Sequence, residues 1–425
     1  MAGIIFNTET LSLFFNYIAN KSIALNLRTS ALIFLKQYVK DYWFNDTVMA
    51  MSNQQKIMQE DAKNFFKENV VALLLQVEPG LCAQIKEMIS SVVEHAKGYY
   101  IIWPELMTKL AEILKQKNYP ASTEVYDLIR KVIRRYHVDQ KSKSLFEEII
   151  NTMDKICPIL TEDGLYFSKF LVTNPVTKNE LPCMIILKRI IQIFYSLNFQ
   201  DFPEFFEDHL KEWIEILCNC VKFKCDVEGI YDEFLSLKTK TLKSVNLYFS
   251  NYFDDIENYY TVFYSPIWEL NFFVKKSNSY SRFTKELLQF YANNVQYQRL
   301  KNLNQEDVNT MISNLGLPNL KMSDNEKEEF EDNPVNYLKS ELQEADLDSN
   351  RFFAINLLKY LIDLYPNLIT SFINPTIQTM LNNYYADRNK YWNEKVTAIN
   401  LIFATYIKTF AARRKLYFNI FSWCN

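Results

Sequence analysis

The two closest glycines in this sequence, Gly80 and Gly98, stand 18 residues apart, and only six occur in 425 residues. No glycine-rich phosphate loop can be written from such a set, because G-x-G-x-x-G and G-x-x-x-x-G-K-[ST] both need glycines within a few positions of each other. Tight β-hairpins favour glycine too. Nucleotide-binding α/β folds and turn-rich sheet proteins are therefore excluded, whereas a stack of antiparallel helices needs few positive-φ turns.

The apolar residues repeat with a helical period from end to end. Leu106, Leu110, Ile113 and Leu114 fall on one helical face, as do Val125, Leu128, Ile129, Val132 and Tyr136. Phe206, Leu210, Trp213, Ile214 and Leu217 form a third stripe, and Ala354, Leu357, Leu358, Leu361 and Tyr365 a fourth. A fifth runs through Ile399, Ile402, Phe403, Tyr406, Ile407 and Phe410. No strand-like alternation competes with them. Pro104, Pro120 and Pro203 stand where helices should start, and prolines are expected there rather than in interiors. Paired stripes recurring about every 40–50 residues predict an all-α HEAT-repeat solenoid, an α-α superhelix.

The helical rhythm breaks twice. Thr173 to Glu180 is polar, carries Pro175 and reads as an inter-helix loop. The larger break runs from Gly316 to about Asn350. Between Ser323 and Asp348 it holds ten acidic residues against Lys327 and Lys339. The expected organisation is helical repeats over 1–315, an acidic insert within a repeat at 316–350, further helices over 351–410 and a divergent tail at 411–425.

Catalytic and metal chemistry finds little support. His95, His137 and His209 lie in separate helical segments without a second ligand at metal spacing, and Cys218, Cys220 and Cys225 lack the spacing of a zinc ribbon. Adjacent carboxylates such as Glu207-Asp208 and Asp254-Asp255 diverge by about 100° on a helix and read as solvated faces. No nucleophile elbow can form without its glycines. No enzyme, cofactor or metal is expected, and seven scattered cysteines are expected to be free thiols.

Charge is nearly balanced, with 47 basic and 50 acidic residues, and gives no global drive toward nucleic acid or anionic membrane. No apolar run approaches the roughly 18 residues of a spanning helix. The start lacks a secretory pattern, so cytoplasm or nucleus is expected. One basic stripe, Arg130, Lys131, Arg134 and Arg135 with Lys141 and Lys143 behind it, is either a solvated face or a dock for an acidic protein surface.

Two segments are more specific. Phe194-Tyr195-Ser196-Leu197-Asn198-Phe199-Gln200-Asp201-Phe202-Pro203-Glu204-Phe205-Phe206-Glu207-Asp208, closing on Trp213, resembles a signature stretch of the CAS-type exportins of the importin-β family. Leu317-Pro318-Asn319, Phe330-Glu331-Asp332-Asn333-Pro334, Tyr337 and Asp346-Leu347-Asp348 resemble the acidic insert of the same family. Shorter echoes at Leu35 to Trp43, Trp103 to Leu106 and Trp392 extend the resemblance colinearly over about residues 8 to 410.

That resemblance implies a nuclear export receptor, shortened relative to the family, that wraps GTP-bound Ran and importin-α cargo. It implies passage past nuclear pore proteins and shuttling between nucleus and cytoplasm, with neither nucleic-acid binding nor membrane insertion. The positions matching the family's Ran-contacting elements are Lys36, Lys40, Arg134, Arg135, Glu331, Asp332, Tyr337 and Asp348. The sequence departs from the pattern where Asp41 replaces an arginine, at Lys339-Ser340, and at Ser349 to Phe353. The alternative reading is a HEAT-repeat scaffold that has lost both partners.

Overall fold

The structure, a computed structural model, describes residues 7–43, 58–272, 278–300, 303–336 and 349–406. The chain divides into two compact units, Met1–Glu233 and Phe234–Asn425. All described regular structure is helical, as the periodicity predicts.

Unit 1 holds α1 (Thr8–Ala19), α2 (Leu25–Tyr42), α3 (Glu60–Gln76), α4 (Pro79–His95), the single turn α5 (Tyr99–Ile102), α6 (Leu106–Lys115), α7 (Tyr119–Val132), α8 (Lys143–Thr173), α9 (Leu181–Asn198), the short α10 (Glu204–Asp208) and α11 (Leu210–Lys222). The helices pair as α1–α2, α3–α4, α6–α7 and α8–α9. Successive first helices touch at α6–α8 and α8–α11, and successive second helices touch at α2–α4, α4–α7 and α7–α9. This is the two-layer stacking of HEAT-type repeats. Each helix buries one stripe against its own partner and flanks against the neighbouring pairs.

The aromatic anchors of the signature stretch are core. Phe194 of α9 stacks on Trp213 of α11 with ring centroids 4.4 Å apart, and Phe206 of α10 meets both edge-on at 5.2 and 5.4 Å. Trp213 is fully buried, and its indole N–H donates to Thr161 Oγ1 at 3.1 Å. Burying each such ring contributes roughly 2–3 kcal/mol, so the pattern is fixed by packing where α8, α9 and α11 meet. Gly164 permits that approach, since a Cβ there would lie 2.9 Å from Ile216 Cδ1.

Unit 2 continues the scheme with α12 (Tyr231–Asn251, from Phe234 on), the single turn α13 (Phe253–Ile256), α14 (Tyr260–Leu270), α15 (Asn278–Gln296), α16 (Gln305–Met311), α17 (Leu317–Leu320), α18 (Asp324–Asp332), α19 (Asn350–Leu364), α20 (Pro366–Ala386) and α21 (Trp392–Tyr406). Second-layer helices follow one another: α12 meets α15 through Phe249 and Phe290, 5.5 Å between centroids, and α15 packs on α19 and α19 on α21. A π-helical turn at Ile312–Gly316 joins α16 to α17. Between α17 and α19 lies the short α18.

One expectation needs correction. Prolines also occupy helix interiors, at Pro158 in α8, Pro266 in α14 and Pro375 in α20; each removes one backbone donor, which neighbouring packing tolerates. Positive-φ positions fall not only on Gly98 and Gly229 but on Lys97, Lys117 and Gln298, each just past a helix end. Gly316 is helical instead, lying 3.4 Å (as a notional Cβ) from Leu358 Cδ2.

Candidate partner-binding surfaces

Lys36 and Lys40 lie one turn apart on α2 and face α4. Lys36 Nζ donates to Gln84 Oε1 at 2.6 Å and to Glu87 Oε2 at 3.1 Å. Lys40 is exposed in the last turn of α2 and has no ion-pair partner among the described residues; a cation is well placed at a helix C-terminus. Both line a groove of about 440 Å³, with Trp43 beside them and Glu87, Glu94 and His95 of α4 across from them. Sequence reasoning singled out the lysines but missed the opposing carboxylates, which become neighbours only when second-layer helices stack.

Arg134 and Arg135 follow α7 in a 3-10 turn, Ile133–His137, and their environments differ. Arg134 is exposed. Arg135 is turned inward: it pairs with Asp139, and its Nη2 lies 3.2 Å from Glu148 Oε1. Glu148 is 2% exposed and also accepts the backbone N–H of Tyr100 at 3.2 Å. Burial pushes the Glu148 carboxyl above the usual range, against the pull of Arg135. The structure thus leaves Arg134 available to a partner and commits Arg135 to the repeat.

In unit 2, α18 begins with a capping box in which the Ser323 side chain accepts the Glu326 N–H and Glu326 accepts that of Ser323. One side is docked: Arg351 Nη2 meets Glu326 Oε1 at 2.6 Å, and Phe330 stacks on Trp392 at 5.3 Å. The other carries Glu328, Glu329, Glu331 and Asp332, all exposed. Tyr337 and Asp348 lie outside the described residues. Lys36, Lys40 and Arg134 thus belong to unit 1, and the acidic residues to unit 2.

The remaining candidates do not assemble chemistry. Among the described residues no group of His, Cys, Asp or Glu could hold a metal ion, and none of the six described cysteines, five of them buried, is in a disulfide. His209 stacks on Phe205 at 4.3 Å, and His137 lies edge-on to Tyr195 and Phe199. No described helix is long and apolar enough to cross a membrane.

The comparisons with known proteins converge. A family model described as Cse1 matches residues 132–415, about two thirds of the chain, and one described as the Importin-beta N-terminal domain matches residues 7–76. Exportin-2 from Homo sapiens is 25% identical over 387 residues, which are 88% of this chain and 39% of that protein. The importin-alpha re-exporter of Schizosaccharomyces pombe is 23% identical over 411 residues, 92% of this chain and 40% of that protein. The chain therefore spans about two fifths of the length of the curated relatives it matches. A solved structure of the exportin Cse1 in its cargo-free, cytoplasmic state superposes with a TM-score of 0.79 at 22% identity, covering 95% of this chain and 44% of that one; the Kap95:Nup1 complex gives 0.53 at 12% identity, covering 97% and 43%. The chain belongs to the Cse1 family, the CAS-type exportins within the importin-β family.

Proposed function

We propose that this chain acts in nuclear export, carrying importin-α from nucleus to cytoplasm together with GTP-bound Ran. The match to the Cse1 family over residues 132–415 carries the reading. Lys36, Lys40 and Arg134 in unit 1, and Glu331 and Asp332 in unit 2, are the residues proposed to meet these partners. Residues 316–350 are taken as an acidic insert between the two helices of a repeat, in which Tyr337 and Asp348 complete the set. With six dispersed glycines the chain has no phosphate loop of its own, so in this reading the nucleotide sits on Ran. Passage past nuclear pore proteins and shuttling between the compartments follow from the same assignment.

A pull-down comparing GTP-loaded with GDP-loaded Ran, with and without importin-α, tests the proposal. Binding selective for the GTP form and strengthened by importin-α is expected; equal capture of both forms, or of neither, refutes it. The inward commitment of Arg135 and the presence of Asp41 favour a second reading, a helical-repeat scaffold that has lost both partners. GTP-selective capture of Ran would exclude that second reading.

A further inference from the structure

The second layer of unit 1 concentrates positive charge at one point. Asp127 of α7 gathers cations from three successive second-layer helices: Lys86 of α4 donates to Oδ2 at 2.6 Å, and Arg130 of α7 reaches Oδ1 through Nε at 3.0 Å and Nη2 at 2.8 Å. Arg189 Nε of α9 stands 3.0 Å from the same Oδ1. Glu124 gives Lys86 a second carboxylate at 2.7 Å. Lys131, half-buried beside this group, has no hydrogen-bond or ion-pair partner among the described residues. Four cations thus share two carboxylates.

The flanks do not make up the difference. Glu87 is paired with Lys36 at 3.1 Å, and Lys188 with Glu233 at 2.5 Å. Arg130 and Arg189 each keep 23% of their side chain exposed; Arg189 Nη1 donates to Gln192 Oε1 at 3.0 Å, while Arg130 Nη1 and Arg189 Nη2 make no hydrogen bond among the described residues. Burial, with Lys86 and Arg130 nearby, holds Lys131 below the usual lysine range, and burial with Arg130 does the same to Arg189 below the usual arginine range. An added anion would relieve both.

We infer that Arg130, Lys131 and Arg189 form a docking point for a carboxylate-bearing segment of a partner protein. A guanidinium fork matches a carboxylate in plane, and the partly desolvated setting strengthens the contact. A nucleic acid fits less well, since a continuous phosphate backbone would run onto Glu87, Glu124 and Glu233. The inference is independent of which transport partner the chain carries.

Fluorescence anisotropy of a short labelled oligoglutamate peptide with the full chain tests it. Lys131→Gln and Arg189→Gln are each expected to weaken binding roughly tenfold, while Lys143→Gln, an exposed lysine away from the cluster, leaves it unchanged. Lys131→Gln breaks no ion pair, so its circular dichroism should match the parent chain even where Arg189→Gln disturbs folding. No binding by the parent chain, binding insensitive to a folded Lys131→Gln variant, or equal weakening by Lys143→Gln overturns the proposal. So does tighter binding of an oligothymidylate of equal charge that the same variants abolish.

Discussion

Arg135 and Glu148 form an ion pair, Nη2 to Oε1 at 3.2 Å, directly over the α carbon of Gly98. A Cβ at residue 98 would lie 2.2 Å from Glu148 Oε2 and 2.5 Å from Arg135 Nη2, and φ there is +139°. Residue 98 also closes α4, its N–H reaching Val93 O at 3.0 Å. Glycine is required twice over, by backbone conformation and by the pair above it. Gly98→Ala is expected to cost about 2–4 kcal/mol in urea denaturation. A loss under about 0.5 kcal/mol would mean that the pair simply moves aside.

The same pair separates two arginines adjacent in sequence. Arg135→Gln leaves Glu148 buried without its cation and should destabilise by about 3 kcal/mol or more. Arg134→Gln, at an exposed position, should stay within about 0.5 kcal/mol while weakening capture of GTP-loaded Ran. Thermal melts of both variants, run beside the pull-down, check this. Equal stability of the two would show that Glu148 finds another partner.

Two carboxylates give opposite pH signatures. Burial raises Glu286 above the usual carboxylate range, only partly offset by the hydrogen bond from Asn246 Nδ2 at 3.1 Å. Its ionised form is held at a cost; as pH falls through its folded pKa the folded state takes up the proton first and gains stability. Glu286→Gln should therefore raise the unfolding midpoint at pH 7 by about 1–3 °C, with the gain fading toward pH 4.5. Glu78 behaves oppositely. The Arg28 guanidinium, bonded to it at 2.8 and 2.7 Å, and its own backbone N–H hold it at about 2. Its contribution is present in full above about pH 4.5 and is lost as pH falls toward 2. The midpoint deficit of Glu78→Gln should shrink over that window; a deficit constant down to pH 2 would contradict the assignment.

Periodicity made the helices legible, because each stripe is a local pattern that any neighbouring helix can cover. The signature from Phe194 to Trp213 was legible as a family mark; that Phe194, Phe206 and Trp213 would form one buried aromatic stack while Asp201, Glu204, Glu207 and Asp208 stay exposed was not. The site was harder to read. Arg134 and Arg135 look alike in sequence, and only the arrival of Glu148 from α8 distinguishes them. The stripe at Arg130 and Lys131 was visible as charge, whereas its convergence on Asp127 with Lys86 and Arg189 depends on how α4, α7 and α9 stack. Likewise Pro158 marks no helix boundary, because the residues around it in α8 are buried against α6, α9 and α11.

α18 offers a test in which position and charge come apart. It is fastened by Glu326 to Arg351 and by Phe330 to Trp392, while Glu328, Glu329, Glu331 and Asp332 face outward. Arg351 and the Ser323 N–H hold Glu326 below the usual carboxylate range despite its burial, so the fastening persists at neutral pH. Replacing the three outward glutamates by Gln and Asp332 by Asn should leave the unfolding midpoint within about 1–2 °C. If these carboxylates meet a basic partner, the change should also flatten the dependence of association rate on ionic strength. Arg351→Met combined with Phe330→Ala should do something different: the carboxylates remain, but cleavage by a glutamate-specific protease within Glu326 to Glu331 should accelerate severalfold as the helix detaches more often. Unchanged cleavage would show that α18 is held by other contacts, and an unchanged salt dependence in the neutralised variant would remove the acidic face from the binding surface.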